Sequence, residues 1–128
     1  MGNELEYYTP NIEDIRVGYA CEINEIGSSC EWIPRIIEVK DLYENITIDL
    51  ANGYIRTPYL TVEQIEAEGW IVESHILGYY AQKDGWVLLY DNVDKVAEIS
   101  EEDGTIVCFS GSCPSINEFK IISKWLKI

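Results

Sequence analysis

Closely spaced turn signals in the second half of the chain restrict its fold more than any other feature. Lys83-Asp84-Gly85 and Asp91-Asn92 separate short apolar segments, and Glu101-Glu102-Asp103-Gly104 separates two more. Parallel strands need crossover connections of a dozen or more residues, and these turns leave no room for them. The spacing therefore predicts an antiparallel meander and excludes a doubly wound parallel sheet. The predicted strands of this half are Trp70 to Tyr80, Trp86 to Tyr90, Val93 to Ile99 and Thr105 to Phe109.

Alternating apolar and polar residues predict further strands in the first half. Val17 to Ile26 follows this pattern, and Trp32 to Val39 is strand-like but contains Pro34. Because proline cannot donate to a ladder, the second of these strands is expected at an edge or at a bulge. Asp41 to Asn45 is predicted to be a loop. Asn52-Gly53, between Ile46 to Leu50 and Tyr54 to Arg56, predicts a hairpin turn.

Two capping boxes predict where helices begin. Thr61 with Gln64 opens a short helix that Gly69 ends, and Ser115 with Glu118 opens a C-terminal helix. Apolar side chains share one face of the C-terminal helix, with Trp125 beside them, while three lysines point elsewhere. We expect Trp125 to close the core, so that Trp125→Ala would cost ~3 kcal/mol. The apolar positions are Ile116, Phe119, Ile122 and Leu126, and the lysines are Lys120, Lys124 and Lys127.

These elements predict an α+β fold. We expect a twisted antiparallel β-sheet, a meander with hairpins, with one short central helix and the C-terminal helix packed on the sheet. The length of 128 residues favours a single domain over residues 1–128.

The charge balance excludes several classes of partner. The chain has 23 acidic and 9 basic residues, a net charge of −14 at pH 7. A general nucleic-acid binder needs a basic surface, so direct nucleic-acid binding is not expected. The acidity also disfavours anionic membranes, and no apolar run reaches the ~18 residues that span a bilayer. The first ten residues lack the features of a signal peptide, so we expect a cytoplasmic protein.

The four cysteines do not indicate a metal site. Cys21, Cys30, Cys108 and Cys113 lack the close pairs of a zinc knuckle. Thiols stay reduced in the cytosol, so we expect free cysteines, with Cys21 facing the core of its strand.

Catalytic patterns are missing from the sequence. The one histidine, His75, lies in a strand pattern, and no spacing pairs it with a serine or cysteine nucleophile. Phosphate-binding and calcium-binding loops are also absent. We therefore expect no catalytic residue, no cofactor and no metal, and a protein that is not an enzyme.

Tyrosine is over-represented, with nine in the chain, and tyrosine is favoured at recognition surfaces. Neighbouring strand residues point to opposite faces, so one ring of the Tyr79-Tyr80 doublet should leave the core. The candidate binding surface combines two tyrosine doublets with an acidic hairpin tip: Tyr7, Tyr8, Tyr79, Tyr80, Glu101, Glu102 and Asp103.

A second candidate site would hold a nucleotide-like small molecule. Aromatic rings would stack on its base, and arginines with a helix N-terminus would meet its phosphates. The residues of this alternative ligand site are Arg16, Arg35, Arg56, Ser112 and Ser115. Convergence of the three arginines in an aromatic pocket would favour it, and an acidic stripe would favour the first surface.

The opening segment Glu6 to Glu22 resembles a family of small uncharacterised proteins from bacteriophages and Bacteroidetes-type genomes. It contains Tyr8-Thr9-Pro10, an acidic helical turn and Val17-Gly18-Tyr19. In that family a Tyr-Thr-Pro start is followed by Val-Gly-Tyr or Val-Gly-Phe and a glutamate. Leu60 to Trp70 and Ser115 to Ile128 are similar to its second and third landmarks. The family usually has phenylalanine where Ala20 or Cys21 stands here, so the resemblance implies no shared role for that cysteine.

The resemblance implies a phage or prophage context and an intracellular setting, with no assigned activity. Together with the charge, it favours a non-catalytic phage-type binding protein in the host cytoplasm. Such a protein would act on a host factor as a counter-defence inhibitor, through an acidic, tyrosine-rich surface. The alternative is a sponge that sequesters a nucleotide-like signal in an aromatic pocket.

Overall fold

Two antiparallel sheets contain the strands of the part of the chain that the structure describes. This computed structural model describes residues 6–24, 31–43, 53–75, 78–102 and 106–128. One sheet has four strands and the other has five, and the predicted α+β class is confirmed. The antiparallel strands are divided between these two sheets. Residue contacts separate the chain into a first unit, Met1–Tyr59, and a second unit, Leu60–Ile128. Beside this division, the single domain over residues 1–128 stays a prediction.

The first unit is built around the four-stranded sheet, with strand order β1-β4-β2-β3. Its elements are β1 (Tyr7–Tyr8), a 3₁₀ turn (Ile12–Asp14), β2 (Ala20–Asn24), β3 (Trp32–Ile36), α1 (Val39–Tyr43) and β4 (Ile55–Pro58). The predicted strand over residues 46–50 and Asn52 lie outside the described residues, and the following Gly53 has φ +73°.

Apolar side chains on one face of this sheet form the core of the first unit. Tyr19, Ile37 and Ile55 are each 1% exposed, and they pack with Ile15 and Cys21. The hydroxyl of Tyr19 and that of Thr57 are 2.8 Å apart and both are buried, so this polar pair satisfies itself inside the core. Cys21 faces the core as predicted.

Strand β3 lies at the edge of the four-stranded sheet, which confirms the prediction from Pro34. Ile37 exchanges hydrogen bonds with the β2 side: its N–H donates to the Tyr19 carbonyl and its carbonyl accepts from Gly18. Backbone groups alternate along a strand, so the nitrogen of Pro34 points away from β2, towards the open edge. Its missing N–H therefore costs the sheet no hydrogen bond.

Helix α1 covers Asp41 to Tyr43, where a loop was predicted, and the last two residues of that predicted loop lie outside the described residues. The carboxylate of Asp41 accepts from the Glu38 N–H at 2.8 Å and is paired with Arg35. The Glu38 contact is local, like one half of a capping box, whereas Arg35 is a partner from β3 that the sequence of the helix itself does not contain.

The second unit contains the five-stranded meander, in the order β5-β6-β7-β8-β9, and two helices. Its elements are α2 (Val62–Ala67), β5 (Ile71–His75), β6 (Gly78–Lys83), β7 (Trp86–Asp91), β8 (Val96–Glu101), β9 (Val107–Ser112) and α3 (Ile116–Leu126). Both predicted capping boxes are present, at Thr61 with Gln64 and at Ser115 with Glu118.

One long strand over Trp70 to Tyr80 was predicted, and this is wrong. The segment is an antiparallel pair, β5 with β6, in which His75 is opposite Gly78. Gly78 has φ +155°, and a Cβ atom there would lie 2.0 Å from the backbone oxygen of Tyr90. Only glycine fits this close approach of two strands.

Helix α3 buries one face, and Trp125 is not on it. Phe119 is fully buried, and its ring centroid lies 6.0 Å from that of Trp70, which directly precedes β5. Trp125 is 73% exposed, so the expectation that it closes the core is wrong. At about 100° per residue, Trp125 falls about 120° from Phe119, the middle of the buried apolar stripe.

Candidate functional site

The face of the four-stranded sheet opposite the core brings together an arginine, a glutamate and two aromatic rings. Arg56 on β4 is directly opposite Glu22 on β2. Tyr7 is opposite Pro58, two residues from Arg56, and Trp32 is opposite Asn24, two residues from Glu22. Since side chains two residues apart share a face, all four lie on the same side. We call Tyr7, Glu22, Trp32 and Arg56 the Arg56 cluster.

The guanidinium of Arg56 has both a carboxylate partner and aromatic partners. Its Nε donates to Oε1 of Glu22 at 2.8 Å, and its Nη2 lies 2.7 Å from the same oxygen. Its central carbon lies 3.6 Å from the ring centroid of Tyr7 and 4.2 Å from that of Trp32. Charge-assisted hydrogen bonds and cation–π contacts of this kind fix the plane of the guanidinium.

The Arg56 cluster is accessible. The side chains of Arg56 and Glu22 are 27% and 17% exposed, and both aromatic rings are half-buried. A guanidinium carries five N–H donors, and the Nη1 donors of Arg56 have no partner within the described residues. The cluster therefore presents an oriented cation with free donors beside two aromatic surfaces.

Apolar side chains surround the cluster on the same face. Pro34 is directly opposite Glu22 and is exposed, and Ile36 is 58% exposed. An arginine and two large rings, rimmed by smaller apolar groups, have the composition of a protein-binding hot spot.

The opposite face of the sheet carries a second arginine–carboxylate pair. Arg35 lies on that side, since its partner on β2 is Cys21, the neighbour of Glu22. Its Nε donates to Asp41 at 3.2 Å, and its Nη2 is paired with the other carboxylate oxygen. This Arg35 contact holds the pKa of Asp41 below its usual range.

Burial raises the pKa of the Cys21 thiol to about 11, so this thiol stays protonated at neutral pH.

The three arginines of the alternative ligand site do not converge. Arg35 and Arg56 lie on opposite faces of the sheet, and each is paired with a carboxylate. Arg16 is exposed on a loop, where it donates to the Asp14 carbonyl at 3.0 Å.

The two serines of that alternative site belong to the second unit. Ser112 is exposed on β9, and Ser115 is buried at the start of α3. The backbone N–H of Ser115 donates to the Glu118 carboxylate at 3.1 Å, and its hydroxyl donates to the same oxygen. A carboxylate of this chain therefore already occupies the position where a phosphate was expected.

The tyrosine doublets separate as strand geometry requires. Tyr7 joins the Arg56 cluster, and Tyr8 packs on Tyr59 with 4.8 Å between ring centroids. Tyr79 stacks on Tyr90 at 6.1 Å, and the Tyr80 hydroxyl accepts from Gln82 at 2.9 Å. Within each doublet, the two neighbouring tyrosines therefore point to opposite faces of their sheet.

Acidic groups dominate the exposed parts of the second unit. Glu101 and Glu102 are exposed, and Asp103 lies outside the described residues. A shallow cavity of about 300 Å³ on this unit's sheet has the carboxylates of Asp91 and Glu98 in its lining. Backbone hydrogen bonds from Asp94 and Val93 lower the pKa of Asp91, which keeps it charged. Such a lining repels phosphate.

Nothing in the described part of the chain gathers three or more metal-ligating side chains. Cys21, Cys108 and Cys113 are free, and Cys30 lies outside the described residues. Only Cys108 of the three is exposed. Burial raises the pKa of the Cys113 thiol to about 12. His75 lies in β5.

Two members of the Arg56 cluster, Glu22 and Trp32, were absent from the sequence-based candidates. Their strands were predicted, but their alignment with β4 depends on pairing between distant segments. The sequence did contain a signal for the Arg56 pair: one arginine in the predicted strand Tyr54 to Arg56, and a glutamate in the alternating strand that contains Glu22. Such residues are common in strands, so this signal alone did not indicate a pair.

No family model, no curated protein and no solved structure matches this chain. Within the described residues, no helix combines the length and the apolar character needed to cross a bilayer.

Proposed function

We propose that this chain is a non-catalytic binding protein that docks on another protein through the Arg56 cluster. The observation that carries the proposal is the oriented Arg56 guanidinium, held by Glu22, Tyr7 and Trp32 on an accessible sheet face. Hot spots of protein interfaces are enriched in these three residue types, Arg, Tyr and Trp. A side chain that is already ordered loses little conformational entropy on binding.

The net charge supports a basic partner. Residues 1–59 contain eleven acidic and four basic residues, and the whole chain carries −14. Such a field accelerates encounter with a positively charged surface. We propose that the Arg56 cluster supplies the buried centre of the complex and that the surrounding carboxylates supply the steering.

The resemblance to phage proteins supports a host protein as that partner. In this proposal the chain acts in the cytoplasm of the host cell and covers the nucleic-acid-binding or other basic surface of a host defence factor. Direct binding to nucleic acid is not part of it, since the net charge opposes that. No geometric observation favours the nucleotide sponge, because the arginines lie apart.

The test begins with native mass spectrometry of the protein recovered from host lysate, followed by kinetics on the protein that it carries. We expect Arg56→Ala to weaken the complex at least about tenfold, in the range of hot-spot truncations. Arg16→Ala is the matched control, because Arg16 is exposed and donates only to a backbone carbonyl. We expect it to change affinity less than about twofold.

The acidic contribution is tested separately with Glu101→Gln and Glu102→Gln together. Exposed charges act mainly on the association rate, so association should slow more than dissociation accelerates. The complex should also weaken with added salt. An affinity that Arg56→Ala leaves unchanged would contradict the proposed site. A bound nucleotide without a bound protein would contradict the proposed function.

A further inference from the structure

The outward surface of helix α3 carries two parallel rows of side chains that the packing of the second unit does not use. Positions i and i+4 of a helix lie one above the other. Lys120 and Lys124 are such a pair, and Lys127 follows as the left-handed C-cap residue; we call these three lysines the basic row. Ile121 and Trp125 are the adjacent pair, and we call them, with Ile128 beyond the end of the helix, the apolar row.

Both rows are accessible. All three lysines are exposed, and Trp125 is 73% exposed. Ile121 and Ile128 are half-buried. The buried face of α3 is a separate stripe that includes Phe119 and Ile122, so this helix has a second apolar stripe that faces outward.

The basic row is not neutralised locally. The chain has 23 acidic residues and nine basic ones, yet no described carboxylate forms an ion pair with any of these three lysines. Lysines elsewhere in the second unit do have local partners: Lys83 donates to the Glu68 carbonyl at 2.7 Å. A third of the chain's basic residues are therefore gathered, without ion pairs to described carboxylates, beside an exposed tryptophan.

We propose that these two rows bind an acidic amphipathic segment of another protein. Its apolar side chains would pack on the row centred on Trp125, and its carboxylates would meet Lys120, Lys124 and Lys127. Complementary charge is the reason to favour such a segment. A second copy of this chain is disfavoured as the partner, because its own lysines would face these lysines and repel them. This surface shares no residue with the Arg56 cluster and attracts the opposite charge.

The probe is a synthetic helical peptide with leucines at i, i+4 and i+7 and glutamates beside them. Binding is measured by calorimetry and by tryptophan fluorescence, since covering Trp125 should shift its emission to shorter wavelength. We expect Trp125→Ala to weaken binding at least about tenfold. Lys120→Gln with Lys124→Gln should weaken it several-fold and flatten its salt dependence.

Matched variants control for unspecific effects. Trp125→Phe keeps an aromatic ring and should retain most of the affinity. Lys40→Gln removes an exposed lysine of the first unit, which is paired with Glu38, and should leave binding unchanged. Arg56→Ala should also leave it unchanged, so that failure here is distinguishable from failure of the proposed function. Trp125 and the lysines are exposed, so their variants should remain folded, which circular dichroism verifies.

Four results would overturn the proposal. One is a scrambled peptide of the same composition that binds equally well. Another is tighter, Trp125-dependent binding of single-stranded oligonucleotide or of anionic vesicles at matched charge. The third is a doubling of mass in sedimentation that Trp125→Ala abolishes, which would assign the surface to a second copy of this chain. No peptide binding at all would also contradict it.

Discussion

The two units treat their basic side chains in opposite ways. In the first unit every arginine has an acceptor: Arg16 a backbone carbonyl, Arg35 the carboxylate of Asp41, and Arg56 that of Glu22. In the second unit the lysines of α3 form no ion pair with a described carboxylate. Planar guanidinium groups suit fixed, multidentate contacts, whereas an ammonium group on a flexible stem suits solvent. The first unit therefore uses its arginines to order its structure, whereas the second unit displays the lysines of its last helix.

The largest expected effect is at Trp70, the buried tryptophan of the second unit whose counterpart Trp125 is exposed. Trp70 is 3% exposed and contacts Phe119, so Trp70→Ala should cost about 4 kcal/mol of unfolding free energy. Its Nε1 has no hydrogen-bond partner in the described residues, so Trp70→Phe leaves no acceptor unpaired and should cost about 1 kcal/mol. Urea denaturation measures both. Equal losses for the two variants would show that packing around the ring is not the cause.

The second prediction breaks an ordering contact of the first unit. Asp41→Asn should destabilise by about 2 kcal/mol, below the usual cost of breaking a buried pair because the Arg35 side chain is 37% exposed. Lys124→Gln is the control, and its expected effect is below about 0.5 kcal/mol. A loss for Lys124→Gln as large as that for Asp41→Asn would remove the contrast between the units.

The same contact predicts a pH dependence. The pKa of Asp41 is lowered in the folded state, so its contribution is present above the unfolded value of about 3.9. It is lost as the pH falls through the folded pKa, which lies below that value. The difference in stability between the wild type and Asp41→Asn should therefore shrink below about pH 4. A difference that stays constant down to pH 2 would contradict this origin.

Thiol reactivity compares one buried cysteine from each unit with an exposed one. Burial raises the pKa of Cys21 to about 11 and that of Cys113 to about 12. Cys108 is exposed. In native protein at pH 8, Cys108 should be labelled well before the other two, and mass spectrometry of the peptides measures the order. Early labelling of Cys21 would show that the first unit opens more readily than its packing indicates.

The smallest effect is expected at Trp125. Because this side chain is 73% exposed, Trp125→Ala should change stability by less than about 0.5 kcal/mol. A loss near 3 kcal/mol would show that Trp125 packs in the core. The apolar row proposed for peptide binding would then not be exposed.

Local signals predicted the structure well wherever the cause was local. The capping boxes at Thr61 and Ser115 and the turn at Asp84-Gly85 are present as expected, because their geometry involves residues a few positions apart. Helix α1 was missed, since Arg35 and Asp41 stabilise it together with the sheet. The strand break before Gly78 was missed because a close approach to Tyr90 requires it.

For the candidate site, too, local signals did not predict contacts between distant segments. Arg56 and Tyr7 were both named from the sequence, but in different candidate sites. Only the pairing of β4 with β1 and β2 brings them together. Helical periodicity similarly located the buried stripe of α3, but the exposure of the flanking Trp125 depends on tertiary packing that periodicity does not describe.

Pro34 has a consequence for the behaviour of the protein in a crowded cell. The exposed face beside it carries Ile36 and Trp32, side chains that favour aggregation when neighbouring molecules extend a sheet. A strand from another molecule would need the N–H that Pro34 lacks, at the middle of the outermost strand. The proline ring therefore opposes extension of the sheet past β3, at the edge nearest these apolar groups.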